Sequence, residues 1–146
     1  MHQIASMIGH LNSVKPGGIS RFAEALTQYK HYIHTKSFIV IISDFLLDLK
    51  EVEKSFVHLG DHDVVVIQVL DRKEIDLAIE GDLRLHDAET SGVLRTFITP
   101  RLRSSYKEKM HQHVLAVEKE CNDLGYKYFL VPTDKPIFDA FWEMLR

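Results

Sequence analysis

One cysteine, Cys121, stands in 146 residues, so no disulfide can form within the chain. It falls in a helical pattern with no second thiol nearby, which reads as a small core residue rather than a redox centre. No apolar run is long enough to span a bilayer, and no signal peptide is evident. Those absences lead to the expectation of a soluble chain in a reducing, cytoplasmic setting. Charge of one sign is also missing. Eighteen Lys and Arg against 21 Asp and Glu leave a net charge of −3, which offers no footprint for a nucleic-acid backbone. Several catalytic signatures are absent too. There is no Gly-x-Ser-x-Gly elbow, no GxxxxGK[ST] or GxGxxG phosphate loop, and no HxxxH pair with a glutamate between. No internal repeat, low-complexity tract or linker divides the chain, so a single domain over residues 1–146 is expected.

What is present is a set of short apolar runs separated by helical patterns. Phe38-Ile-Val-Ile-Ile-Ser-Asp44 is the most informative. Five consecutive apolar residues, mostly β-branched, suit a strand over 37–43 buried on both faces of a parallel sheet. Ligands of open α/β sheets bind outside the carboxyl ends of such strands, which makes Asp44 a candidate metal or ligand contact. Asp is equally a favoured N-cap, so Asp44 either serves a site or caps the following helix. Residues 63–70 and 128–131 read as two further buried strands.

Helices are expected over 3–13, over about 21–34 with Ser20 as N-cap, and over 46–59 closed by Gly60. Another should run from Pro100 to about Leu124, and a last one should open at Pro136 with Ile137, Phe138, Phe141, Trp142 and Leu145 facing inward. Leu83-Arg-Leu-His86 and Val93-Leu-Arg-Thr-Phe-Ile98 alternate about Thr90-Ser91-Gly92, the pattern of a β-hairpin. Strands alternating with helices give an α/β class, a mostly parallel sheet with helices on both faces. Three buried strands are few for such a sheet. The run at 37–43 is too apolar for an exposed edge, where it would promote aggregation. A partner chain, or more protein toward the N-terminus, is expected to cover it.

The order of motifs resembles the C-terminal two-thirds of the von Willebrand factor A-like domain of the bacterial family known as domain of unknown function 58. The residues that carry the resemblance are Gly17-Gly18 before a helix containing Glu24-Ala25-Leu26, then Ile42-Ser43-Asp44-Phe45. His62-Asp63-Val64-Val65-Val66 follows, leading to Leu70-Asp71 and Glu74. Leu85-His86-Asp87-Ala88-Glu89-Thr90 and Tyr106 come next. Cys121-Asn122-Asp123-Leu124-Gly125-Tyr126 and Val131-Pro132-Thr133-Asp134-Lys135-Pro136 complete the series. The resemblance implies a metal-ion-dependent adhesion site for Mg²⁺ at the carboxyl edge of the sheet. Asp44 falls at the position of its third-loop Asp and Ser20 at that of its Thr, with Gly18 and Ser43 as neighbouring binding positions.

The chain departs from the family in lacking the Asp-x-Ser-x-Ser loop and the strand that carries it. Two side chains should hold Mg²⁺ only weakly, so no firmly bound cofactor is expected. The family's strand order, 3-2-1-4-5-6, places the missing first strand beside residues 37–43. The implied picture is an N-terminally incomplete domain, a fragment or truncated product, that forms a homo-oligomer through an open sheet edge. The implied function is a non-enzymatic protein-interaction module, an adaptor linked to a MoxR-type AAA ATPase. The alternative is a doubly wound α/β enzyme, a hydrolase or nucleotide-binding protein, using the Asp44 strand edge.

Other constellations read more plainly. His31 and His34, and His111 and His113, lack the convergent third ligand of a zinc site and are expected on the surface. Lys15-Pro16-Gly17-Gly18 does not follow a strand, which argues against a phosphate loop. Arg101, Arg103, Lys107 and Lys109 give the long helix a basic start, read as a solvated face.

Overall fold

The structure, a computed structural model, describes residues 2–15, 21–77, 81–86 and 93–144. In chain order it forms α1 (His2–Ser13), α2 (Phe22–Lys30), β1 (Phe38–Ser43), α3 (Leu49–Val57), β2 (Asp63–Leu70) and α4 (Arg72–Asp76). There follow β3 (Gly81–His86), β4 (Val93–Ile98), α5 (Pro100–Asp123), β5 (Lys127–Pro132) and α6 (Ile137–Met144). β1, β2 and β5 make a parallel sheet in that order, and β3 pairs with β4 as a separate antiparallel hairpin. This is the mixed α/β class, with an open parallel sheet, that the alternation of elements implied.

Register follows from side-chain period. Ile39 lies opposite Val64, Ile41 opposite Val66, and Val66 opposite Tyr128. These residues share one face of the pleat, and helices cover it. Four aromatic rings lock that layer. Phe22, Phe45 and Phe56 meet edge to face at 5.6 and 5.7 Å, and Phe56 meets Tyr126 at 6.0 Å. Such T-shaped contacts align positive ring edges with negative faces. The Tyr126 hydroxyl also donates to the Phe56 carbonyl at 3.0 Å, tying the start of β5 to the end of α3. Val117 and Cys121 bring α5 into the same core, both fully buried. Burial pushes the Cys121 thiol up to about 12, so it stays protonated and inert, as its helical setting suggested.

Several expectations need correction. β1 is not buried on both faces. It sits at the edge of the sheet, and among the described residues no strand lies on its outer side. Ile39 and Ile41 face the core, whereas Phe38, Val40 and Ile42 are 70%, 46% and 65% exposed. A continuous apolar run does not reveal how many of its faces find partners.

Helix α3 starts at Leu49 rather than near Leu46, because the Asp48 carboxylate accepts from the Lys50 amide at 2.8 Å and fixes the N-cap there. Gly60, with φ +56°, turns the chain two residues beyond that helix's C-cap, in the left-handed region that favours glycine. The α2 N-cap position is Arg21, with no side-chain capping bond, and Ser20 lies outside the described residues. In α6 only Ala140 is buried. Ile137, Phe138, Phe141 and Trp142, expected to face inward, are exposed, and Leu145 lies outside the described residues. The long helix begins as read: Thr99 caps it by accepting from the Leu102 amide, and Pro100 takes the first turn, where no amide is needed. No helix among the described residues is long and apolar enough to cross a membrane.

Candidate functional site: the carboxyl edge of the sheet

The three parallel strands end together, so the residues following each of them share one edge of the molecule. β1 delivers Ser43 and Asp44, β2 delivers Asp71, and β5 delivers Thr133 and Asp134. Every strand of this sheet is thus followed within two residues by an aspartate.

Asp44 is exposed, and its carboxylate accepts from the Leu46 amide at 3.1 Å. That bond is a local Asx turn. It does not cap α3, whose cap is Asp48. Ser43 is half-buried, and its hydroxyl accepts from the Phe45 amide at 3.1 Å. Phe45 adopts φ +53°, a left-handed conformation that costs a non-glycine residue about 1 kcal/mol or more and persists only where surroundings enforce it.

Three contacts enforce it. The Phe45 ring is fully buried among Phe22 and Phe56. The Asp44 carbonyl accepts from the Gln68 side-chain amide at 2.7 Å. The Phe45 carbonyl lies 2.7 Å from His113 Nε2, which must carry the proton to donate there. Gln68 is itself fully buried and accepts from the Tyr128 hydroxyl at 2.6 Å. A polar relay therefore crosses all three strands, from Tyr128 through Gln68 to the loop that carries Asp44. Desolvation raises the Tyr128 hydroxyl well above its ordinary value, with the Glu118 charge adding to it, so the hydroxyl remains a donor.

The second strand end is equally well held. One Asp71 oxygen accepts from the Lys73 amide at 2.7 Å and the other from the Thr133 hydroxyl at 3.0 Å. Glu74 reaches back to the Asp71 amide, completing a capping box on α4. The Lys73 amide, and after it the Thr133 hydroxyl, hold the Asp71 carboxyl below its ordinary value. Asp134 accepts from Arg72 Nε at 3.1 Å. Asp71 and Asp134 are therefore engaged in holding β2 to β5, whereas the Asp44 carboxylate accepts from the Leu46 amide within its own turn.

Among the described residues, no group of three or more His, Cys, Asp or Glu side chains is placed to hold a metal ion. Gly18 and Ser20 lie outside the described residues, as do most of the Lys15–Gly18 run and the Thr90-Ser91-Gly92 turn. The relay was not foreseen. A glutamine inside Asp63-Val-Val-Val-Ile-Gln-Val-Leu70 was its visible signal, since a lone amide in a buried strand needs partners. His113, read as a surface histidine, is half-buried against the Phe45 turn. Lys107 of the basic helix start pairs with Asp76 at 3.0 Å.

The family described as "Protein of unknown function DUF58" matches residues 1–116. Uncharacterised proteins of Mycobacterium tuberculosis and Mycobacterium bovis are each 29% identical over 135 residues, covering 92% of this chain and 42% of their own length. An uncharacterised protein of Mycobacterium avium is 31% identical over 114 residues, 77% of this chain and 67% of its own. The chain thus spans about two-fifths of the length of the first two relatives. No solved structure matches.

Proposed function

The chain belongs to the family described as Protein of unknown function DUF58, and from that premise we propose that it is a non-enzymatic protein-interaction module of von Willebrand factor A-like architecture. Its docking point is the carboxyl edge of the sheet, centred on Asp44 and Ser43. The observation that supports this reading is the fixed presentation of Asp44: an exposed carboxylate on a strained turn, held from beneath by Gln68 and His113. Ordering a docking residue in advance lowers the entropic cost of association. The hydroxyl at this edge that meets a carboxylate, Thr133 donating to Asp71, ties β5 to β2.

The partner in this reading is a protein, a MoxR-type AAA ATPase, with the chain acting as its adaptor. The oxygens found at this edge do not fit a resident Mg²⁺ site. Asp71 and Asp134 are committed to other donors, and one carboxylate is a poor match for an ion that demands six well-placed oxygens. Docking is therefore carried by Asp44 as a hydrogen-bonding anion.

The test is quantitative binding of the purified chain to a purified MoxR-type ATPase, with and without Asp44→Ala. Loss of a charged contact of this kind should weaken binding about tenfold or more. Equal binding by the variant, or binding by neither protein, would sink the proposal. Thermal protection by a nucleotide would move the reading to the enzyme class.

A further inference from the structure

Asp48 caps α3 and so leaves Leu46 and Leu47 in the loop between the Asp44 turn and that helix. Across from this loop stand Tyr106, Lys109, Met110 and His113, spaced three and four apart on one face of α5. Between the two walls lies an open cleft of about 340 Å³, lined by these six residues. Met110 is buried, Leu47, Tyr106 and His113 are half-buried, and Leu46 is 44% exposed. The lining is therefore mainly apolar, and the loop wall keeps an apolar side chain in contact with water.

This cleft is continuous with the docking edge. The Asp44 carboxylate accepts from the amide of Leu46, a lining residue, at 3.1 Å. His113, another lining residue, places Nε2 2.7 Å from the Phe45 carbonyl and so ties the helix wall to the loop wall. The contacts that hold the strained turn thus also set the spacing of the walls. The charges on the two walls differ in sign: Asp44 belongs to the loop and Lys109 to the helix. Among the described residues neither forms an ion pair, whereas Lys107 of the same helix meets Asp76 at 3.0 Å. Burial, and after it the Glu74 charge, push the Tyr106 hydroxyl above its ordinary value, so it stays protonated and leaves a donor on the helix wall.

We propose that the cleft receives one large apolar side chain (Leu, Met or Phe) of an extended segment of a protein partner, while a basic residue two positions away on that segment pairs with Asp44. This rests on the reading of Asp44 as the docking carboxylate and adds what the partner must present to it. An acidic residue beyond the apolar one meets Lys109, so the segment runs basic, apolar, acidic from the loop wall to the helix wall. Alternate residues of an extended chain project to one side, about 7 Å apart. The Asp44 carboxylate stands beside the backbone of a cleft residue, so one segment reaches both. The volume suits a side chain better than a cofactor. It lies at the bottom of the roughly 300–1,000 Å³ range of small-molecule sites. Opposite charges on facing walls fix the direction of the segment and disfavour one of reversed polarity.

Selection of a random peptide display library on the purified chain, followed by fluorescence anisotropy with a selected peptide, tests this. The expected sequences carry Lys or Arg two positions from Leu, Met or Phe. Leu46→Asp puts a charge into the cleft at a position already in contact with water, and should weaken the selected peptide about tenfold or more. Asp44→Lys should weaken it alike, and a fresh selection on that variant should exchange the basic residue for an acidic one. Lys109→Glu should exchange the acidic residue for a basic one. Circular dichroism checks that the variants keep the fold. Binding to Leu46→Asp as tight as to wild type, with Asp44→Lys impaired, would overturn the cleft proposal and leave Asp44 as the docking point. Binding and selected sequences unchanged by Asp44→Lys would overturn that docking point and the cleft proposal with it. A selection that enriches no peptide, or only peptides lacking a basic residue, overturns the proposal as well.

Discussion

Gln68→Leu should cost about 1–5 kcal/mol. The side chain is fully buried, donates to the Asp44 carbonyl at 2.7 Å and accepts from the Tyr128 hydroxyl at 2.6 Å. Leucine fills nearly the same volume, so no large cavity term arises. What it removes are two partners, leaving a part-buried carbonyl and a part-buried hydroxyl unpaired, at about 1–3 kcal/mol each. The gain from burying a more apolar side chain offsets about 1 kcal/mol of that. For a domain of this length the net loss should lower Tm by about 3–15 °C, at ~3 °C per kcal/mol. Tyr128→Phe in the Gln68→Leu background should then recover stability, because it deletes the stranded hydroxyl. The double variant should be more stable than the sum of the singles by about 1–3 kcal/mol. Urea unfolding of the four proteins, with m-values compared to confirm two-state behaviour, supplies the cycle. Gln68→Leu within 0.5 kcal/mol of wild type, or strictly additive singles, would refute the relay as described.

Asp44→Ala and Asp48→Ala separate the two readings of the first strand's end: Asp48→Ala should cost about 1 kcal/mol as a lost N-cap, and Asp44→Ala clearly less, measured by urea midpoint. Asp71 has a folded pKa below its unfolded value, so its contribution is present above the ordinary carboxylate range and fades as pH falls through the depressed value. The Tm gap between wild type and Asp71→Asn should accordingly be open at neutral pH and close as pH falls below the ordinary carboxylate range. A gap that widened on acidification would reverse the assigned sign. The Cys121 thiol, pushed up to about 12, should resist labelling by a thiol reagent at neutral pH and react at once in denaturant. Rapid labelling of the folded protein would place that helix face at the surface.

Class and order of elements were readable because they rest on local periodicity. The 63–70 run became β2 without adjustment, and Thr99-Pro100 marked the long helix where its cap and fixed φ demanded. Element ends were read less well. Leu46 and Leu47 continue the apolar spacing of α3, but the Asp48 carboxylate wins the capping competition and excludes them. Apolar faces were the weakest inference. Phe138, Phe141 and Trp142 have the spacing of a buried stripe and are exposed all the same, since periodicity describes one helix and burial needs a second surface.

The sequence by itself determined the parallel α/β class, the aspartate at the end of β1 and the resemblance to the family, all carried by patterns within single segments. Only the tertiary structure decided that β1 is an edge, that Asp44 caps nothing, and that Gln68, Tyr128 and His113 hold its turn. Those facts depend on groups 24 to 68 residues apart meeting in space. No local propensity encodes such a meeting. It follows from the order in which the strands pair, and from the requirement that each buried polar atom find a partner there.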